Sequence, residues 1–367
     1  MEKLRRLVNQ IAYTPISERH SNLSHLQLSL IPLLSFSSFL YKLALFLRYR
    51  LYHLGLLRQH RLQVPVISVG NLTWGGNGKT PMVEFIARWD MLAGMKLKCF
   101  RGIFWAHLQR LVWVQIELPL LLHFSKGSLS ELDKLGAAIL DDGMQHLSLF
   151  RDLEIVMVNG MIPWGNQKLL PLGPLREPLN ALCRADVVVV HHADLASDKN
   201  LHAIESMLRK LKESLPIFFS RMAPSYFFKA GDTSCQLPLG TVYNMVVLCV
   251  SAIGFANAFV QGIEKIEPLH ADQLDFSDHH LFQIKDMETI NDRLQKLQAM
   301  FGSKPIVIFT EKDYDREPEI LKHLDPFDVL VLCSELQIVP KKGHTEDSYK
   351  ILLRQIMESK LIGINKC

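Results

Sequence analysis

Along most of its length the chain alternates short runs of β-branched and aliphatic residues with longer stretches whose apolar positions recur every three or four residues. The runs at 64–69, 96–100, 137–140, 153–158 and 185–190 are largely apolar, and the last is an unbroken β-branched run, the pattern of a parallel strand buried on both faces. Helical spacing takes over at once after the first run and its loop, over 82–92. Strand and helix patterns alternating in this way predict an α/β doubly wound sheet as far as residue 219. A smaller α/β pattern follows, with strand runs at 244–250, 305–310 and 328–332, a helix from 257, and a closing helix over 346–359. The expected organisation is therefore a helical segment over 1–62, a larger α/β domain over 63–220 and a smaller one over 221–367.

Two stretches depart from this pattern. Leucine and phenylalanine crowd residues 23–57, but the apolar run 26–39 is interrupted by Pro32 and several serines and stopped by Lys42. It is shorter than the ~20 residues that a spanning helix needs. Its aromatics (Phe36, Phe39, Tyr41, Phe46, Tyr49, Tyr52) stand beside arginines, which suits a pair of interfacial helices meeting anionic head groups. A buried helix leading into the first strand is the alternative. Residues 1–22, basic and nearly free of acids, have the character of a mitochondrial presequence. The second stretch, 103–124, carries neither a strand nor a helix period. It is long enough to cross a bilayer, yet Gln109, Arg110, Gln115 and Glu117 fall near its middle, where polar groups are costly, and no element is assigned to it.

Composition narrows the function. With 48% hydrophobic and 21% charged residues the 367-residue chain is globular, with room for about two domains. A formal charge of +4 without a basic stripe interleaved with aromatics argues against a nucleic-acid partner, and nothing in the pattern points to a protein partner. The six cysteines are far apart and form no C-x-x-C pair, so they read as buried thiols in a reducing compartment rather than zinc ligands or disulfides.

The chemistry begins where the first apolar run ends. Gly75, Gly76, Asn77 and Gly78 form a glycine-rich loop that delivers Lys79 and Thr80 to the start of a helix. Successive backbone N–H groups in such a loop make an anion nest, the lysine reaches outer phosphates and the threonine hydroxyl reaches Mg²⁺, so the loop reads as a cradle for a nucleoside triphosphate. The strict pattern places a glycine where this chain has Thr73, and an incidental Gly-Lys-Thr in a strand-to-helix turn is the alternative. Asp141 and Asp142 end a later apolar run, where a carboxylate downstream of a phosphate loop holds Mg²⁺ or its waters. By itself Asp-Asp-Gly is a turn signal. The loop 164–178 is constrained by Pro171, Gly173, Pro174 and Pro178, which suits a loop that presents Arg176 and Glu177.

With these residues in place the chain resembles the tetraacyldisaccharide 4'-kinase family, the lipid A 4'-kinases. The resemblance rests on ordered blocks: PVISVGNLTWGGNGKTP (65–81), DDGMQH (141–146), RDLEIV (151–156), GNQKLLPLGPLREP (165–178), SAIG (251–254), SDHH (277–280) and TEKD (310–313). That family carries Thr or Ser at the position of Thr73. The resemblance implies a P-loop NTPase-like kinase that uses ATP and Mg²⁺ to phosphorylate the 4'-hydroxyl of a tetraacylated glucosamine disaccharide 1-phosphate, a lipid A precursor, at a membrane surface. It implies phosphate contacts from Lys79 and the loop amides, a metal held by Thr80 and Asp142, Asp141 and Asp142 as catalytic carboxylates that position Mg²⁺ or its waters, and His279 supporting the carboxylate that takes the substrate proton. Arg176, Glu177 and Asn166 would shape the substrate site. The resemblance to plant members favours mitochondria, with a bacterial-type inner membrane as the alternative.

One departure stands out. Family members follow the Arg-Gly of the second strand with a Tyr-Gly loop and then an Asp-Glu pair whose aspartate is the expected base. Here Arg101-Gly102 runs into Ile103-Phe104-Trp105, and no Asp-Glu pair occurs between 103 and 140. Glu117, Glu131 and Asp133 match that position poorly. A nucleotide-binding but catalytically weak homologue is therefore the alternative to an active kinase.

Overall fold

The computed structural model of the chain describes residues 2–62, 64–89, 97–100, 111–113, 137–278 and 280–364. In chain order, α1 (Glu2–Tyr13) and α2 (His25–His53) precede β1 (Val66–Gly70), α3 (Lys79–Arg88), β2 (Leu97–Phe100), β3 (Leu111–Trp113), β4 (Ala137–Asp141), β5 (Leu153–Asn159), β6 (Val187–His191), α4 (Asp198–Leu211) and β7 (Ile217–Lys229). There follow β8 (Asp232–Leu237), β9 (Val246–Ser251), α5 (Ala256–Glu264), β10 (His270–Asp275), α6 (Ile284–Phe301), β11 (Ile306–Thr310), β12 (Asp328–Ile338) and α7 (Glu346–Ile364). The chain divides into two compact units, one of Met1–Ser220 with Ile338–Cys367 and one of Arg221–Gln337.

In the first unit the strands run β7-β6-β5-β1-β4-β2-β3, every pair parallel. β1 lies centrally and is buried along all five residues, as its apolar run requires. Its register sets Val69 beside Asp141 on one side and Ile155 on the other, so the loops leaving β1, β4 and β5 emerge along one edge of the sheet. One face is closed by α4, whose Leu201, Ile204 and Leu208 pack with Val156, Val158, Val188 and Val190. Tyr349 of α7, fully buried, stacks edge-on against Phe218 with centroids 4.9 Å apart, and its hydroxyl donates to the Met82 sulfur at 3.3 Å. The closing helix thus belongs to the first unit, a correction to the expected span 221–367. The reason is packing: a tyrosine spaced with apolar neighbours along a helix does not reveal which core it fills.

The N-terminal segment is also different from the expected helix pair. α2 is one helix of 29 residues, about 43 Å long, with Pro32 inside it. A capping box between Ser24 and Gln27 starts it, and two of the serines that interrupt the apolar run return hydrogen bonds to the helix, Ser29 to the Leu26 carbonyl at 2.8 Å and Ser37 to the Leu33 carbonyl at 3.0 Å. Among the described residues it is the one helix long and apolar enough to cross a membrane. Large apolar side chains on it, including Leu33, Phe36, Leu40, Leu43 and Leu47, are exposed. α1 contributes Ile11 and Ala12, both fully buried, to the first unit, so part of the presequence-like region is folded structure.

The second unit carries a parallel sheet in the order β10-β9-β11-β12 and an antiparallel pairing of β8 with the end of β7. α6 covers one face of the parallel sheet, where its Ile290 and Leu294 share a core with Leu248, Val250 and Phe309. β10 has no counterpart among the apolar runs because its residues, His-Ala-Asp-Gln-Leu-Asp, are only half-buried at the sheet edge. Of the described cysteines, Cys249 and Cys333 are buried as expected, whereas Cys183 and Cys235 are exposed.

Candidate active site

The site is built where β1, β4 and β5 end. After Gly70 the chain turns through Asn71 to Asn77 and enters α3 at Lys79, with Gly78 as its N-cap in the left-handed region at φ +74°. Two facts require glycine at 78. An L-residue is strained at that φ, and an added Cβ would lie 2.5 Å from the His191 ring. His191 closes β6 and is fully buried; its Nδ1 lies 2.9 Å from the Ser220 hydroxyl, and burial holds its pKa well below the usual imidazole range. It is a neutral floor beneath the loop.

The loop is braced from several directions. The Asn77 side chain donates to the Thr73 hydroxyl at 3.0 Å, which gives Thr73 a task at the position where the strict pattern has glycine. Asn159, at the end of β5, donates to the Gly76 carbonyl at 3.4 Å and accepts from the N–H groups of Met161 and Ile162. The loop before Pro178 runs alongside: the Trp74 N–H donates to the Pro174 carbonyl at 3.1 Å, and the Arg176 N–H to the Leu72 carbonyl at 2.7 Å.

Charged groups meet at the mouth of this loop. The Lys79 ammonium donates to Asn71 Oδ1 at 3.0 Å and stands 3.4 Å from the Asp142 carboxylate. Arg176 Nη1 reaches both oxygens of Asp142, at 2.7 and 2.8 Å, and lies 3.3 Å from Gln145 Oε1. Asp142 is held in the left-handed region at φ +65°, an outlier of the kind that gathers at functional sites. Asp141 is buried, and its Oδ2 accepts from the Thr80 hydroxyl at 2.8 Å. The arrangement thus sets two cations and a helix N-terminus beside a paired hydroxyl and carboxylate, which suits a phosphate chain carrying a divalent cation.

The remaining expected site residues are placed differently. Asn166 is buried; its side chain donates to the Ile11 and Leu172 carbonyls at 3.1 and 2.8 Å and accepts from the Lys168 N–H at 3.0 Å. Glu177 is buried too, paired with Arg184 at 2.7 Å and accepting from the Tyr49 hydroxyl of α2. Both hold the loop in shape, Asn166 against α1 and Glu177 against α2. Burial and the Glu177 hydrogen bond push the Tyr49 phenol up to about 12. α2 is further joined to this loop by the Tyr41 hydroxyl, which donates to the Arg176 carbonyl at 2.8 Å, and to the turn after β4 by Arg48, which donates to the Gln145 carbonyl at 2.7 Å. His279, Glu117, Glu131 and Asp133 lie outside the described residues. Asn71, Gln145 and His191 were not singled out from the sequence. Asn71 stands directly after the first strand, a position at which a polar residue carries a weak signal; His191 is concealed by the apolar run that it ends.

The model of the family described as tetraacyldisaccharide-1-P 4'-kinase matches residues 30–100 and 127–353. A protein of Arabidopsis thaliana described as a probable tetraacyldisaccharide 4'-kinase, mitochondrial, is 47% identical over 393 aligned residues, covering 98% of this chain and 99% of that one. The chain belongs to this family. With it the chain is classed as an ATP-dependent lipid kinase that acts on a lipid A precursor, and α2 is consistent with membrane association. The tetraacyldisaccharide 4'-kinase of Halothermothrix orenii is 28% identical over 324 residues, 77% of this chain and 81% of its own. The fold agrees with a crystal structure of LpxK from Aquifex aeolicus in complex with ATP, at a TM-score of 0.56 and 24% identity over 90% of this chain and 98% of that one. The family match is interrupted between residues 100 and 127, within the interval where the sequence departs from the family pattern.

Proposed function

We propose that the loop from Trp74 to Thr80 cradles the phosphates of ATP and that the first unit transfers the γ-phosphoryl group to the 4'-hydroxyl of a tetraacyldisaccharide 1-phosphate. The observation that carries this reading is the convergence of Lys79 and Arg176 on one carboxylate, Asp142, at the N-terminus of α3. Lys79 exchanges its contact with Asp142 for the outer phosphates when nucleotide enters. Arg176, anchored by both Asp142 oxygens, presents its remaining N–H groups to charge that develops on the transferring group.

Thr80 and Asp141, whose side chains meet at 2.8 Å, supply hard oxygen donors of the kind Mg²⁺ takes and would hold it. When bound, Mg²⁺ neutralises charge on the β- and γ-oxygens. This assigns the metal to Thr80 and Asp141, with Asp142 organising the two cations, whereas the sequence had suggested Thr80 and Asp142.

The acyl chains of the substrate stay in the bilayer, so the head group is reached from the membrane surface. α2 suits that surface: one face is bonded to the loop before Pro178 and the other exposes Phe36, Leu40, Leu43 and Leu47. A mitochondrial membrane is the location that the Arabidopsis relative's description and the basic N-terminus support.

A second reading, a nucleotide-binding homologue with weak turnover, is favoured by one observation: the family match breaks where the expected Asp-Glu pair is missing. General-base assistance is worth about 10² to 10⁴ in rate. Phosphoryl transfer measured on this chain and on its Lys79→Ala variant tests both readings. Transfer that depends on Lys79 supports the kinase; binding of ATP without transfer supports the homologue.

A further inference from the structure

The N-terminal helix reaches the nucleotide loop. Tyr13, the last residue of α1, donates its hydroxyl hydrogen to the Trp74 carbonyl at 2.9 Å. The N–H of the same Trp74 donates to the Pro174 carbonyl, so both polar groups of this residue's backbone are held from outside the loop. The next residue, Gly75, sits in the left-handed region at φ +98°, and a Cβ added there would lie 3.4 Å from the Tyr13 oxygen. The phenol therefore bears on the bend at which the loop turns toward Gly78 and Lys79.

Tyr13 is itself firmly placed. Ile11 and Ala12 are fully buried, the Ile11 carbonyl accepts from Asn166 Nδ2 at 3.1 Å, and the Ala12 carbonyl accepts from the Asn166 N–H at 2.9 Å. Burial pushes the Tyr13 phenol up to about 12, against the opposing field of Arg176, so it stays a neutral donor at physiological pH.

We propose that Tyr13 is a positioning residue for ATP binding: it fixes the Trp74 carbonyl and thereby the loop backbone whose N–H groups meet the phosphates. The proposal rests on the reading of this loop as the nucleotide cradle. A freed carbonyl lets the Trp74–Gly75 peptide rotate, and a loop that samples several bends presents fewer N–H groups to the phosphates at once.

The test compares full-length Tyr13→Phe with the parent chain and with Lys79→Ala. Phenylalanine keeps the ring packing and removes only the donor. The expected result for Tyr13→Phe is an ATP dissociation constant raised roughly five- to tenfold, in addition to the modest fall in melting temperature that one lost hydrogen bond brings to the nucleotide-free protein. A lower melting temperature with unchanged ATP affinity would show a merely structural role and overturn the proposal, as would unchanged values of both. If Lys79→Ala also leaves ATP affinity unchanged, the nucleotide-loop reading itself fails. Weakened binding in Lys79→Ala alone removes only the role of Tyr13.

Discussion

Replacing Asp142 with asparagine separates its two possible roles, organising cations or binding metal. Asparagine keeps the shape of the side chain and tolerates the left-handed backbone at this position. The Lys79 ammonium lies 3.4 Å from the carboxylate, a separation at which unit charges attract by about 1 kcal/mol under water-like screening and about 5 kcal/mol at an effective dielectric constant of 20. Because Asp142 is 25% exposed, the lower part of that range applies. An entering phosphate chain must compete with this attraction and is also repelled by the carboxylate. Removing the charge is therefore expected to tighten metal-free ATP binding by roughly five- to tenfold, which corresponds to about 1 to 1.4 kcal/mol. Turnover is expected to fall, because Arg176 loses the carboxylate that fixes its orientation. Titration calorimetry with ATP in the presence of a chelator measures the first effect. Unchanged or weaker metal-free binding would refute the reasoning, and a selective loss of Mg²⁺-dependent affinity would return the metal to Asp142.

Three further outcomes are expected. Gly78→Ala places a methyl group against the buried His191 ring at a strained φ, so ATP binding should be lost, or the protein should melt lower by an amount that calorimetry detects; an unaltered variant contradicts the close approach. Phe36→Glu with Leu43→Glu removes two large side chains from the exposed face of α2, each worth ~1.5–3 kcal/mol on full transfer, and should reduce co-sedimentation with anionic liposomes at least tenfold while ATP affinity holds. Burial raises the Glu154 carboxyl from 4.5 to about 7, despite the opposing Arg151 charge. Between those values the folded protein keeps a proton that the unfolded chain has released, so stability falls as pH rises through the window; Glu154→Gln should flatten that slope in denaturant titrations, and an unchanged slope counts against the shift.

Strands with long apolar runs were legible in the sequence because burial on both faces leaves little room for polar residues, as in Val187–His191. β10, at a half-buried edge, and α2, whose Ser29 and Ser37 bond helix carbonyls, were obscured because polar residues there serve local geometry. The loop proposed to cradle phosphates could be picked out in the sequence because its residues are contiguous: glycines, Lys79 and Thr80 adjoin. The brace around it could not, since Tyr13, Asn159, Pro174 and His191 come from four separated parts of the chain. Asn166 and Glu177 show the converse. They sit in a block that the family resemblance marks, and the structure buries both of them against partners that hold the loop.

The most direct test of the account is phosphoryl transfer itself. The folded full-length chain is incubated with ATP, Mg²⁺ and a tetraacyldisaccharide 1-phosphate in anionic liposomes, and the lipid is examined by mass spectrometry with fragmentation. The account predicts a product that carries one added phosphoryl group on the 4'-oxygen, formed by the parent chain and not by Lys79→Ala. A parent chain that binds ATP and the liposomes yet leaves the lipid unphosphorylated would contradict it.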